Sequence, residues 1–141
     1  MMPEYDLQQN DVLTNKTLSI SYWCEMSLKY LQMGEHFWEY GLFKPCISNS
    51  NMAIRSILKA VYTYENGIHP PALVTLTELI GCARKLRSFD LSSELFIHKV
   101  CLLASDYESI LVRPPVLEDL LKLMQKIRDL VSRVSLALNV G

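Results

Sequence analysis

The sequence has almost no charge imbalance: 14 Lys and Arg stand against 15 Asp and Glu in 141 residues, for a formal net charge of −1. That excludes a general nucleic-acid coat protein, which needs a basic excess to bind phosphate without sequence preference, and leaves only a local basic patch. Long apolar runs are missing as well. None approaches the roughly 20 residues that cross a bilayer, so no membrane association is expected. Met1 to Lys16 is mostly polar and has no signal-peptide core. Glycine is scarce, with 5 residues, and none builds a phosphate-binding loop or a Gly-x-Ser-x-Gly elbow; a His-Glu-x-x-His zinc helix is also lacking. The 4 cysteines, Cys24, Cys46, Cys82 and Cys101, are widely spaced and form no Cys-x-x-Cys pair, so neither zinc nor dithiol chemistry is expected and no cofactor is implied. They read as small core residues. Free thiols without a leader predict a cytoplasmic protein.

What is present is apolar side chain at helical spacing. Half of the residues are hydrophobic and 21% are charged, the balance of a globular chain with one core. Residues 1–16 show no sustained period and are expected to form a flexible N-terminal arm, with residues 17–141 forming a single domain. No run alternates with period two for long enough to argue for a strand. The expectation is an all-α, up-and-down bundle of about five helices, with two long helices as its spine.

The first helix is expected from about Thr17 to Tyr40, stopped by Gly41. Its polar residues Glu25, Lys29, Gln32, His36 and Glu39 follow steps of four and three and form one narrow stripe. Most of the remaining circumference is apolar, aromatic or small, so the helix is covered on more than one side. One side must face its own bundle. A second is expected to face another copy of the chain, through Met26, Met33 and Tyr40 or through Trp23, Tyr30 and Phe37. Gly34, in mid-helix, predicts close approach of a neighbouring helix.

The second helix should open at Pro45 and end at Asn66-Gly67, with Ile47, Ala53, Ile54, Ile57, Leu58, Ala60 and Val61 on its core face. Thr75-x-x-Glu78 fits a capping box that starts the third helix, whose buried side is Leu76, Leu79, Ile80, Ala83 and Leu86. A fourth helix, from about Ser92 to Asp106, has Leu95, Phe96, Leu102 and Leu103 as apolar residues. Arg113-Pro114-Pro115 then breaks the chain. Pro115 opens a fifth helix, reaching about Leu138, with Glu118 and Asp119 in its first turn.

One surface pattern suggests a binding site. Asn51, Arg55 and Lys59 follow at steps of four on the second helix, with Tyr62 three further on, so they share a stripe. The stripe borders the core face, where Arg and Lys could meet a phosphate or nucleotide in a groove between helices. The plainer reading is a solvated edge of long, snorkelling side chains. Arg128 interrupts the apolar arc of the fifth helix between Met124 and Val131 and predicts a structural ion pair. His36, His69 and His98 lie on separate elements and read as surface or loop histidines.

Trp23, Ser27 and Leu31, then Gly41-Leu42-Phe43, then Leu58-Lys59-Ala60, and later Tyr107 ahead of Arg113-Pro114, together resemble the HEPN family of small helical modules associated with nucleotides, RNA and nucleotidyltransferases. The likeness covers most of the chain after Lys16. The sequence departs from the family pattern at Asn51 and Met52, where glutamines are usual, at Arg55, where Glu is usual, and at Leu73-Val74-Thr75-Leu76, where the third helix usually starts Thr-His-Asp-Leu. The resemblance implies a nucleotide or RNA ligand and a minimal nucleotidyltransferase as partner, a toxin–antitoxin-like pairing, beside the homodimer expected from the first helix. It also adds Arg113 to the candidate site. Catalytic members cut RNA with an Arg and a His four to six residues apart, the Arg stabilising phosphate charge and the imidazole moving protons. No Arg here has a His at that spacing; Glu118, Asp119 and Leu120 stand in the matching places after Arg113. A non-catalytic module is therefore expected. A purely structural interaction bundle and a degenerate metal-independent ribonuclease are the alternatives.

Overall fold

The computed structural model describes the backbone of residues 4–110 and 117–138 and the side chains of residues 16–105 and 118–138. The described residues form five helices and no strand: α1 (Glu4–Glu39), α2 (Phe43–Asn66), α3 (Leu76–Ala83), α4 (Leu91–Ile110) and α5 (Leu117–Leu138). Helix α2 is the hub, packed against α1, α3, α4 and α5, while α5 also rests on α1. Its pattern explains this. Ile47, Ala53, Ile54, Ile57, Leu58, Ala60 and Val61 are all buried, an arc wide enough to meet several neighbours at once.

Helix α1 begins at Glu4, well before Thr17, where the apolar period starts. No Gly or Pro interrupts residues 4–16, so nothing in the sequence stops the helix from continuing outward for more than three turns. Small residues bring α1 down onto α2. Ser27 and Gly34 are buried, and the Ser27 hydroxyl donates to the Ala53 carbonyl at 2.7 Å. A Cβ built on Gly34 would lie 3.2 Å from Met124 Cε and 3.4 Å from both the Cys46 carbonyl and Ser50 Oγ, so the expected close approach is present.

The corner between α1 and α2 is a Schellman turn. Leu42 N donates to the Phe37 carbonyl at 3.0 Å, Gly41 N donates to the Trp38 carbonyl at 2.9 Å, and Gly41 sits at φ +69°. Left-handed backbone is what requires glycine here. Gly41→Ala is expected to lower stability by about 1 kcal/mol, read as a lower urea midpoint at unchanged helix content. An unchanged midpoint would mean that the corner does not need its glycine.

Helix α2 begins at Phe43, two residues ahead of the expected Pro45 and directly after the extended Leu42, whereas Gly67 and Thr75 act as their sequence signals predict. Gly67 closes α2 at φ +76°, its N–H reaching the Thr63 carbonyl. Thr75 Oγ1 accepts from Glu78 N at 3.1 Å and starts α3. Helix α4 buries Ile97, Val100 and Leu103 in the core, whereas Leu95 and Leu102 are about 60% exposed. Arg128 of α5 pairs with Glu35 of α1, the expected structural ion pair. Pro115 lies outside the described residues.

Candidate functional site

The stripe on α2 stands half-buried. Asn51, Arg55, Lys59 and Tyr62 all have intermediate exposure, so they form a floor flanked by other helices and not a fully solvated edge. Their side chains divide between the two flanks. Arg55 reaches α4, where Nη2 lies 3.6 Å from Cys101 Sγ. Lys59 reaches α1, its Nζ standing 4.8 Å from the centre of the Trp23 ring. Arg113 lies outside the described residues.

Five cations elsewhere on the surface are paired with carboxylates. Arg84 pairs with Glu94, Arg128 with Glu35, Arg133 with Asp129, and Lys85 and Lys122 with Glu65 and Glu118. Arg55 and Lys59 have no carboxylate partner among the described residues. A thiol and an indole face are weak partners for a cation, and both leave N–H donors for an anion.

A second concavity shows the opposite balance. A cleft of about 340 Å³ between α4 and α5 is lined by Asp90, Ser93, Phe96, Lys126, Asp129 and Arg133, among others. Arg133 is held by Asp129 and by the Ser88 carbonyl, and the Lys126 ammonium lies over Phe96. Asp90 caps the first turn of α4, accepting from both Ser93 N and Ser93 Oγ at 2.8 and 2.9 Å, and these bonds hold its carboxyl below the usual carboxylate range. Arg133 and Asp129 neutralise each other there and Asp90 is turned onto its own helix, while Lys126, among the described residues, has only the Phe96 ring.

The aromatic residues of α1 are also sorted by the fold. Trp23, Tyr30 and Phe37 are half-buried against the chain's own core. Met33 and Tyr40 are exposed and Met26 is half-buried, so of the two faces considered for a partner copy, the Met33 and Tyr40 face is the open one. Tyr22 and Leu18 enlarge that exposed apolar surface, while the exposed Leu28 lies across the polar stripe. The exposed Leu91, Leu95 and Leu102 form a comparable stripe on α4.

Sequence reading missed one constellation. His69, on the loop after α2, uses both ring nitrogens: Trp23 Nε1 donates to Nδ1 at 3.2 Å, and Nε2 lies 2.7 Å from Ser19 Oγ. No local pattern links residues so far apart in the chain, and His69 read only as a loop histidine. Two of the cysteines are held as inert thiols. Burial pushes the Cys46 thiol up to about 11, and Cys24 is raised for the same reason.

The family model described as the HEPN domain matches residues 20–134. No curated protein and no solved structure matches the chain. The matched span runs from the first core turn of α1 almost to the end of α5, taking in the Schellman corner, the α2 hub and the cationic stripe. On that coverage the chain belongs to the HEPN domain family.

Proposed function

We propose that this chain is a non-catalytic HEPN module that pairs with a second copy through α1 and binds an anionic ligand, a nucleotide or RNA end, on the α2 stripe. The observation that carries the ligand reading is the pair of half-buried cations, Arg55 and Lys59, which lack a carboxylate among the described residues. A phosphate supplies the missing counter-charge and accepts the forked guanidinium donors of Arg55. Asn51 and Tyr62 extend the same face with neutral hydrogen-bonding groups, suited to a sugar or base edge. Arg113, named by family resemblance, would add a third cation. In this reading the module works in the cytoplasm beside a minimal nucleotidyltransferase, and it does not cleave RNA.

The test is direct. The double variant Arg55→Ala/Lys59→Ala should keep its helix content and lose more than about tenfold in nucleotide affinity, since a charge-assisted hydrogen bond contributes about 1.5–3 kcal/mol. Calorimetry with a nucleoside monophosphate and a short RNA reads this out. Equal binding by wild type and double variant would remove the stripe from consideration. Metal-independent RNA cleavage that disappears in Arg113→Ala would instead establish the ribonuclease alternative.

The exposed leucines of α4 favour a second reading, a pure interaction bundle. It predicts no nucleotide affinity in the wild type, together with a stable protein complex that survives the Arg55→Ala/Lys59→Ala change.

A further inference from the structure

The indole N–H of Trp23 can only donate. His69 Nδ1, 3.2 Å away, must therefore accept, which leaves the ring proton on Nε2, where it is donated to Ser19 Oγ at 2.7 Å. Both bonds run from the loop to α1, to residues on adjacent turns of one face, and Ser19 is itself 9% exposed. The Trp23 and His69 rings meet edge to face at 5.9 Å. A second proton on His69 would set Nδ1–H against the indole N–H, donor against donor, and this contact cannot survive it.

The charged and titratable groups around this contact come from two helices. From α2, the Lys59 ammonium lies over the Trp23 ring. From α1, the Tyr22 ring meets Trp23 edge-on at 4.9 Å, and Lys16, one turn before Ser19, lies over Tyr64. Among the described residues no carboxylate is paired with His69, Lys59 or Lys16. An imidazolium formed here would add to a cationic neighbourhood, and an anion would relieve it.

We propose that His69 is a proton-operated latch. Neutral, it clamps the loop after α2 to Ser19 and Trp23. Protonated, it releases Trp23 and joins Arg55 and Lys59 as a further cation at the end of the α2 stripe. The first clause stands on the hydrogen-bond geometry alone; the second rests on the anion-binding reading of that stripe. Coupling of this kind is reciprocal: if acid strengthens anion binding, a bound anion holds the proton on His69. The latch places proton control on the loop side of the site, away from the Arg55 end, which contacts α4.

Trp23 reports on its own partner. In ¹H–¹⁵N spectra the Trp23 indole resonance, assigned with Trp38→Phe, should move through a single transition as the pH falls from 8 to 5, and His69→Gln should abolish that transition. A flat response, or the same transition in His69→Gln, overturns the latch. Sulfate, whose charge is constant over this range, is then titrated at both ends. Affinity about fivefold or more tighter at the acid end in wild type, and pH-independent in His69→Gln, supports the coupling. A clear indole transition with pH-independent sulfate affinity overturns the coupling. Absence of sulfate binding at either pH counts against the stripe as an anion site and leaves the latch to be decided by the indole result.

Discussion

Gly34→Leu is expected to destabilise the bundle by about 2–3 kcal/mol, whereas Gly34→Ala should fall within about 1 kcal/mol of wild type. The difference follows from what surrounds the missing Cβ. Its nearest neighbour would be Met124 Cε at 3.2 Å, the end of a flexible side chain that can give by a few tenths of an ångström. Alanine also gains helix propensity over glycine in mid-helix, which offsets the small repacking cost. Leucine must send three further carbons toward the Cys46 carbonyl and Ser50 Oγ, each already 3.4 Å from the Cβ position, and α2 cannot retreat because it carries the core of the whole bundle. The Cys46 thiol donates to the Met124 sulfur at 3.7 Å, so displacing Met124 also strips a buried donor of its acceptor, while the Ser50 hydroxyl keeps the Cys46 carbonyl at 2.8 Å. Urea unfolding of the two variants beside wild type measures the effect. A leucine variant as stable as the alanine one would show that α1 and α2 can part at low cost.

The legible and illegible parts of this molecule divide by the range of the interaction that fixes them. Helix α2 was largely legible because Ile47, Ala53, Ile54, Ile57, Leu58, Ala60 and Val61 recur at helical spacing and Gly67 marks its end, although it starts at Phe43 and not at Pro45 and also buries Ser50, Ser56 and Thr63. The Thr75 cap and the Gly41 corner were equally plain, since each is settled within six residues. Helix α4 was harder. It has apolar residues in two phases, Leu91, Leu95 and Leu102 in one and Ile97, Val100 and Leu103 in the other, and only docking on α2 decides which is buried. The first turns of α1 carry no apolar period at all, and the helix persists there because no residue breaks it.

The candidate site shows the same division. The spacing of Asn51, Arg55, Lys59 and Tyr62 gave a shared stripe, and that stripe is half-buried as a floor. Spacing could not reveal that Arg55 leans to α4 and Lys59 to α1, because Cys101 and Trp23 are distant in the chain. Nor could it foresee which cations would meet carboxylates, as Arg84, Lys85, Lys122, Arg128 and Arg133 do and Arg55 and Lys59, among the described residues, do not. The His69 contact joins residues 46 and 50 positions apart and had no local signal of any kind.

Met33→Glu is expected to convert a dimer into a monomer or an aggregate. Helix α1 exposes Leu18, Tyr22, Leu28, Met33 and Tyr40, with Met33 at 48% and Tyr40 at 69%, while Trp23, Tyr30 and Phe37 are engaged by the chain's own core. The five polar residues Glu25, Lys29, Gln32, His36 and Glu39 run between these apolar groups and are exposed as well. Such a mixed surface suits a two-fold contact in which apolar groups meet at the centre and charges of opposite sign cross at the rim. A carboxylate at Met33 would be desolvated without a partner in that contact, a cost of several kcal/mol, enough to lower dimer affinity by more than about a hundredfold at 1.4 kcal/mol per decade. Light scattering across a concentration series reads the outcome, with Leu95→Glu as the comparison, because Leu91, Leu95 and Leu102 offer α4 as a rival seat. Dissociation by Met33→Glu alone assigns the contact to α1. Dissociation by Leu95→Glu alone moves it to α4, and a wild type that is monomeric at high concentration removes the dimer altogether.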